Sequence, residues 1–326
     1  MPPIQIDRLV IFGDSMSDIG NKRLSGMGRF ARAIGAMRTN AVGRFSDCKN
    51  WTDFIWEWAG GATMIEKDAD RSNELTAYHR KLNKHARWGT PPSAGFSYVN
   101  YAEGGAMGAH DKFGVGLGTF KAQYKQYKEE LKTYRTGGPT LHIVWFGLND
   151  LVTNGRKKNK MGPVAVQMRE LCEKMLNENR DNAHFILANL PNPQGAVRFW
   201  GKELTDQVCD YQVGAFEFNF ELARQLSIFQ VPDRVSLVDM YTPIESINEN
   251  LGAYGLKKGA QPKGVPVRYS KYGSQDTNSN YTTTSDEAHP TEAVYKIIAK
   301  IFAGGILAKY DVGNLRAHPE ATFVVR

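Results

Sequence analysis

Leu9-Val10-Ile11-Phe12-Gly13-Asp14-Ser15-Met16-Ser17-Asp18 is the stretch that decides the reading of this chain. Its first four residues are apolar and bulky, the pattern of a short strand buried on both faces. Gly13 and Asp14 then turn the chain, which sets Ser15 at the rim of whatever sheet the strand joins. If a helix follows, its N-terminal amides can stabilise an anion developing at that serine. The same triplet also serves as an ordinary helix cap, so alone it assigns no chemistry.

Four more short runs share the character of Leu9–Phe12: Phe96–Tyr101, Leu141–Phe146, Phe185–Ala188 and Val235–Val238. Helical patterns lie between them, near Trp51–Ala59, Thr119–Tyr134, Pro163–Asn179, Lys202–Phe229 and Thr291–Lys309. Strands alternating with helices predict an α/β fold, a three-layer α/β/α sandwich around a mainly parallel five-stranded sheet. In such sheets reacting groups gather beyond the carboxyl ends of the strands. The residues just after each strand are therefore where chemistry is expected.

The chain has 326 residues, 41% of them hydrophobic, enough for a large core. No run approaches the roughly 20 apolar residues of a membrane span. Nothing resembles a linker between two cores, so one domain over 1–326 is expected, with long irregular insertions near 60–95 and 252–285. Residues Met1–Arg8 lack the basic and apolar regions of a secretory signal. Cys48, Cys172 and Cys209 are odd in number and have no CxxC spacing. They read as free thiols in a reducing compartment, with no metal site and no cofactor expected. The net charge of +7 favours anionic surfaces such as a phospholipid leaflet. No nucleic-acid-binding motif accompanies it, and Arg156-Lys-Lys-Asn-Lys160 reads as a solvated loop.

Three further loops carry suitable groups. Ala102-Glu-Gly-Gly-Ala106 follows the second strand, and its adjacent glycines can bring a backbone amide close to a ligand or simply make a tight turn. Gly147-Leu-Asn-Asp150 follows the third, and Asn149 offers a side-chain amide for an oxyanion or an Asx turn. Asp286-Glu-Ala-His289-Pro290 precedes the last helix; an acid three residues before a histidine can orient its ring and stabilise its charged form. His318-Pro319 has Leu315 in the equivalent place, and His79, His85, His110 and His142 lack such an acid; His184 has Asp181 there but, like His142, stands at a strand start, the wrong end of the sheet. Each loop has a plain structural reading. Together they supply a nucleophile, its base, an orienting carboxylate and oxyanion donors, the parts needed for acyl transfer.

Ile11-Phe-Gly-Asp-Ser-Met-Ser-Asp-Ile-Gly-Asn21, Asn100-Tyr-Ala-Glu-Gly-Gly-Ala106, Gly147-Leu-Asn-Asp150 and Asp286-Glu-Ala-His289 resemble, in order, the four blocks of GDSL/SGNH hydrolases. The match runs from residue 9 to about 300, with Met16 in place of the more usual leucine. The resemblance implies an SGNH-hydrolase, flavodoxin-like fold and a serine esterase, lipase or acyltransferase without a cofactor. It implies Ser15 as nucleophile, His289 as base and Asp286 as its support. The Ser15 amide, one of Gly104 or Gly105 (Gly105 slightly favoured) and Asn149 would form the oxyanion hole. Gly43-Arg-Phe-Ser-Asp47 with Asn50-Trp-Thr-Asp53 is similar to the lipase and glycerophospholipid:cholesterol acyltransferase branch, which includes effectors delivered into host cells. Arg44 and Trp51 themselves read as structural residues. Asp14 reads as a turn and helix-leading residue rather than a second catalytic carboxylate.

The expected substrate is a lipid ester, with peripheral contact to an anionic membrane and Tyr254, Tyr269, Tyr272 and Tyr281 as candidates to meet the interface. The alternative is a soluble short-chain or acetylated carbohydrate ester. The expected location is cytoplasmic, or outside the cell by a signal-independent route as an effector. A catalytically silent binding protein on the same fold is the competing class. A fluorophosphonate probe separates the two: covalent labelling that disappears in Ser15→Ala is expected of the enzyme, and no labelling of the intact protein is expected of the binder.

Overall fold

The computed structural model describes residues 2–36, 38–40, 42–65, 96–109, 117–132, 138–178, 182–264 and 280–321. In chain order these form β1 (Ile4–Gln5), β2 (Arg8–Gly13), α1 (Asn21–Leu24), α2 (Gly26–Ala33), α3 (Trp51–Trp58), β3 (Ser97–Asn100), α4 (Phe120–Leu131) and β4 (Thr140–Trp145). They continue as α5 (Gly162–Glu178), β5 (Ala183–Ala188), α6 (Asp206–Ser227), β6 (Val235–Val238), α7 (Tyr241–Glu249), β7 (Lys257–Ala260), β8 (Tyr281–Thr283), α8 (Glu292–Leu307) and β9 (Tyr310–Asp311). Short 3₁₀ turns lie between them, and a π-type turn spans Asn149–Thr153.

The central sheet has the order β3-β2-β4-β5-β6, and every neighbouring pair is parallel. The chain is an α/β/α sandwich, as the alternation of strands and helices predicts. All six residues of β2, β4 and β5 are buried, which explains why these strands read as continuous apolar runs. The pleat divides them between two half-cores. Leu9, Ile11, Leu141, Ile143 and Ile186 face α3 and α8 across a cluster that includes Trp51, Tyr295 and Phe302. Val10, Phe12, Val144, Phe185 and Leu187 face α4, α5 and α6, with Phe120, Met168 and Phe218.

Helix α3 starts where its sequence says it should. The Asn50 side chain accepts from the Thr52 and Asp53 amides, and Asp53 returns a bond to the Asn50 amide, a full capping box. Asp53 also receives Arg44, whose guanidinium donates to both carboxylate oxygens at 3.0 and 2.5 Å. Arg44 additionally donates to the Ile19 and Val42 carbonyls. Trp51 donates to Ser17 Oγ and stacks on Phe302 with ring centroids 3.9 Å apart. Arg44 and Trp51 are thus buried frame members beneath the first loop.

The sequence pattern misses several small elements. β1 pairs with β9, and β7 pairs with β8, both parallel. These strands have two to four residues, and Lys257-Lys-Gly-Ala carries no strand signature. Helix α7 lies just ahead of the 252–285 segment, in a stretch to which no element is assigned from the sequence. The far ends expected for the helices reaching Tyr134 and Asn179 lie outside the described residues, as do 66–95 of the first proposed insertion and 265–279 of the second. Cys48 and Cys172 are buried free thiols, and Cys209 is a half-buried one.

Removing one partner of a buried, hydrogen-bonded ion pair strands the other charge. Arg44→Ala or Asp53→Ala is therefore expected to cost about 3–5 kcal/mol in urea unfolding. A loss below 1 kcal/mol in both would contradict the framing role of this pair.

Candidate active site

Because β2, β3 and β4 are parallel and in register, the chain leaves all three at one edge of the sheet. That edge receives Ser15, the Gly104-Gly105 turn and Asn149. His289 arrives from the opposite end of the chain, just ahead of α8. The Asp47 carboxylate anchors the start of that helix, accepting from the Glu292 amide at 2.6 Å and from the Gln261 side chain at 2.8 Å.

The geometry at the serine is direct. His289 Nε2 lies 2.9 Å from Ser15 Oγ, and His289 Nδ1 lies 2.6 Å from Asp286 Oδ2. The other oxygen of Asp286 accepts from Thr284 Oγ1 and from the Ala288 and His289 amides, each at 2.9 Å. Asp286 therefore closes its own turn and orients the ring with the same carboxylate. Burial alone would raise its pKa, but the bonds and charge of His289 and the two amides together hold it well below the usual carboxylate range. Glu287 within this turn has φ 63°, the non-glycine residue in the left-handed region among those described. The Phe45 ring packs on the imidazole, with centroids 4.8 Å apart.

Around Ser15 the backbone is tied by carboxylates. Asp18 accepts from the amides of Gly20, Asn21, Lys22 and Gly104 at 2.6–3.0 Å. The expected helix N-terminus at Ser15 is thus not there: α1 begins only at Asn21, and Asp18 takes its leading amides. The same bond commits the Gly104 N–H to Asp18. Gly105 comes next, at φ 83°, a conformation that suits glycine. A Cβ on Gly104 would lie 2.4 Å from Phe45 Cζ, so the loop can approach the imidazole's neighbour only with glycine there.

Asn149 is held from three sides. Its Nδ2 donates to Asp14 Oδ2 and to the Ala106 carbonyl, both at 3.2 Å, and its Oδ1 accepts from Thr153 Oγ1 at 2.9 Å. The Asn154 amide reaches back to the Asn149 carbonyl at 2.7 Å, closing the π turn. Asp150, next in sequence, accepts from the Gly108 and Ala109 amides and so braces the glycine loop against β4. Asp14 closes the serine turn by accepting from the Met16 amide. Burial pushes its carboxyl up to about 7, against the opposing pull of the Met16 amide and His289.

A cavity of about 310 Å³ opens on Ser15 and His289. Its wall is mainly apolar, with Trp145, Val152, Val197, Phe199, Ile244 and Ile247 among the lining residues. Much of it comes from α7 and from the loop after β5, neither of which any motif marked. Thr284, Phe45 and Asp18 also escaped the sequence reading. Asp18 belongs to the first block, and only its repeated acid-after-serine pattern could have drawn notice.

Other histidines are placed elsewhere. His142 is buried in β4 against the His184 carbonyl, and burial drops its pKa to about 3. His184 is lowered to about 4 by burial. His318 stacks on Trp58. Among the described residues no cluster of His, Cys, Asp or Glu is arranged to hold a metal ion. No helix among them is long and apolar enough to cross a membrane.

A serine, imidazole and carboxylate in one hydrogen-bonded line at the carboxyl edge of a parallel sheet are the arrangement found in serine hydrolases and acyltransferases of the α/β/α class. The model of the GDSL-like lipase/acylhydrolase family matches residues 9–302, and the chain belongs to that family. A curated relative, the Thermolabile hemolysin of Vibrio parahaemolyticus serotype O3:K6, is 23% identical over 313 residues. The alignment covers 92% of this chain but only 64% of that protein. Among solved structures, LAE5, an α/β hydrolase enzyme from the metagenome of Lake Arreo, Spain, is 12% identical, with a TM-score of 0.43 over 96% of this chain and 97% of that one. A protein assigned as a GDSL-like lipase from Parabacteroides merdae is 13% identical, with a TM-score of 0.46 over 93% and 98%.

The raised Asp14 pKa has a consequence for stability. Its folded value of about 7 exceeds the ordinary 3.8, so between those values the folded state holds more protons than the unfolded one. That contribution is fully present below about pH 4 and is lost as pH rises through 7, at up to about 1.4 kcal/mol per pH unit. Asp14→Asn is expected to flatten this segment of a denaturation-versus-pH profile. An unchanged slope would show that Asp14 is not the group responsible.

Proposed function

We propose that residues 1–326 form one hydrolase domain that cleaves lipid esters through an acyl-enzyme on Ser15. Ser15 Oγ attacks the ester carbonyl carbon as His289 Nε2 takes its proton, and Asp286 stabilises the resulting imidazolium. The carbonyl oxygen becomes an oxyanion facing the Ser15 and Gly105 amides and the Asn149 side chain. Gly105 is chosen over Gly104 because the Gly104 N–H already serves Asp18. The oxyanion competes with Asp14 for the Asn149 amide, whose two present bonds are both long. Collapse of the intermediate breaks the bond to the alcohol, which leaves with the proton held by His289. Water, activated in turn by His289, frees the acid; an alcohol such as a sterol in its place accepts the acyl group.

The observation that carries the lipid reading is the apolar cavity beside Ser15 and His289, which suits an acyl chain better than a hydrated sugar. The name of the Vibrio relative, a hemolysin, points the same way. The basic net charge supports a peripheral encounter with anionic membrane and, without a binding motif, not with nucleic acid.

Two variants test the reading. Ser15→Ala is expected to abolish turnover while circular dichroism and melting stay as in the parent; substantial residual turnover would overturn the nucleophile. Ile244→Trp, which fills the cavity, is expected to lower kcat/KM for long-chain esters by about tenfold or more while sparing acetyl and butyryl esters. Equal effects on both classes would refute an acyl-chain site there.

A further inference from the structure

Helix α2 is built inside out. Met27, Phe30 and Ile34 fall at i, i+3 and i+7, the spacing of one helical face, and the Ile34 amide bonds to the Phe30 carbonyl to extend that spacing past the helix end. A surface helix normally turns such a stripe to the core. Here the three side chains are 46%, 61% and 62% exposed. The inward side is glycine: Gly28 is buried, and a Cβ on it would sit 1.6 Å from the Lys22 carbonyl oxygen. The helix therefore lies down on its smallest residue and holds its largest ones away from the protein.

The charge around this stripe has one sign. From Asn21 to Ser46 there are six Lys or Arg and no Asp or Glu. Lys22 is taken up by Glu103 and Arg44 by Asp53, and Arg23 donates to the Asn40 carbonyl. Arg29 and Arg38 are exposed, the first within α2 and the second just beyond it. Arg38 also lines the cavity that opens on Ser15, so the segment leads from the apolar stripe to the catalytic opening.

A second exposed apolar stripe, Val213, Phe216 and Phe220 on α6, provides a comparison. It is flanked by Asp206, Asp210, Glu217 and Glu221, the wrong sign for an anionic surface. The tyrosines expected to meet an interface do less well. Tyr254 is half-buried against the core, Tyr281 is half-buried in β8, and Tyr269 and Tyr272 lie outside the described residues.

We propose that α2 is a membrane-docking helix, inserting Met27, Phe30 and Ile34 among the acyl chains of an anionic bilayer while Arg29 and Arg38 meet its phosphate headgroups. A short amphipathic helix with apolar and basic faces is suited to lie in the interfacial plane. Docking in this pose presents the cavity mouth, through Arg38, to the surface from which a lipid ester is drawn. The inference deepens the lipid-ester reading and rests on it, so binding is measured apart from turnover.

The test is sedimentation with vesicles of equal parts phosphatidylglycerol and phosphatidylcholine, against pure phosphatidylcholine, in a Ser15→Ala background that leaves the lipid intact. Strong partitioning to the anionic vesicles alone is expected. Replacing Met27, Phe30 and Ile34 together by serine should weaken it about a hundredfold. Arg29→Glu should weaken it about tenfold. The pair Phe216→Ser and Phe220→Ser should leave it unchanged. With Ser15 restored, the α2 serine variant should keep its melting temperature and turn over a soluble butyryl ester at the parent rate. Unweakened vesicle binding by the α2 serine variant would overturn the proposal, as would no binding by the parent. So would a concentration-dependent dimer that the same serines dissolve. Parent turnover of detergent-dispersed long-chain ester without vesicle binding would sink the docking helix and leave the lipid-ester reading standing. Vesicle binding without such turnover would sink the substrate reading instead.

Discussion

Parallel pairing of Arg8–Gly13 with a strand on either side is the constraint from which the rest follows. Parallel neighbours run in one direction and so end at one edge, and their connecting helices must cover both faces. Ser15, Gly105 and Asn149 meet there because each lies within a few residues of a strand's carboxyl end. No local interaction among these three segments could have brought them together. The pairing register does so before any of their side chains is considered.

A second theme is the use of buried carboxylates as clasps for backbone amides. Asp18 ties the loop after Ser15 to Gly104, Asp150 ties the strand end at β4 to Gly108 and Ala109, and Asp47 holds the first amide of α8. Asp286 clasps its own turn and the imidazole together. Each exchanges a costly buried charge for several charge-assisted hydrogen bonds. The reward is rigidity where loops would otherwise move. The proposed chemistry, which places a nucleophile, a base and oxyanion donors within fractions of an ångström, needs that support. The strained backbone at Glu287 fits the same picture, since a neighbouring carboxylate over-determines the turn that contains it.

The apolar cavity and the outward stripe of α2 both depend on elements with weak sequence signals. Helix α7 lines the cavity but lies in a stretch that no sequence pattern marks. Helix α2 has eight residues, two of them glycine, and its periodicity gives no hint of which way the apolar side faces. Hydrophobic spacing says that a face exists; only packing says whether core or solvent meets it.

The sequence alone determined the central sheet, because its strands are short, mostly apolar runs that stay legible without context. It determined the main helices, through periodicity. It also singled out Ser15, Asn149, Asp286 and His289 as a set, because their chemistry is complementary and each stands beside a strand end or helix start. Tertiary structure decided the rest. Ser15 and His289, 274 positions apart, are closed to a 2.9 Å contact by the stacking of α8 against α3 and the sheet and by the Asp47 anchor at its start. Gly104 and Gly105 are equivalent as letters, and it is Asp18, 86 positions away from Gly104, that takes the amide of one and not the other. Such choices depend on groups distant in the chain becoming neighbours, which a local pattern cannot encode.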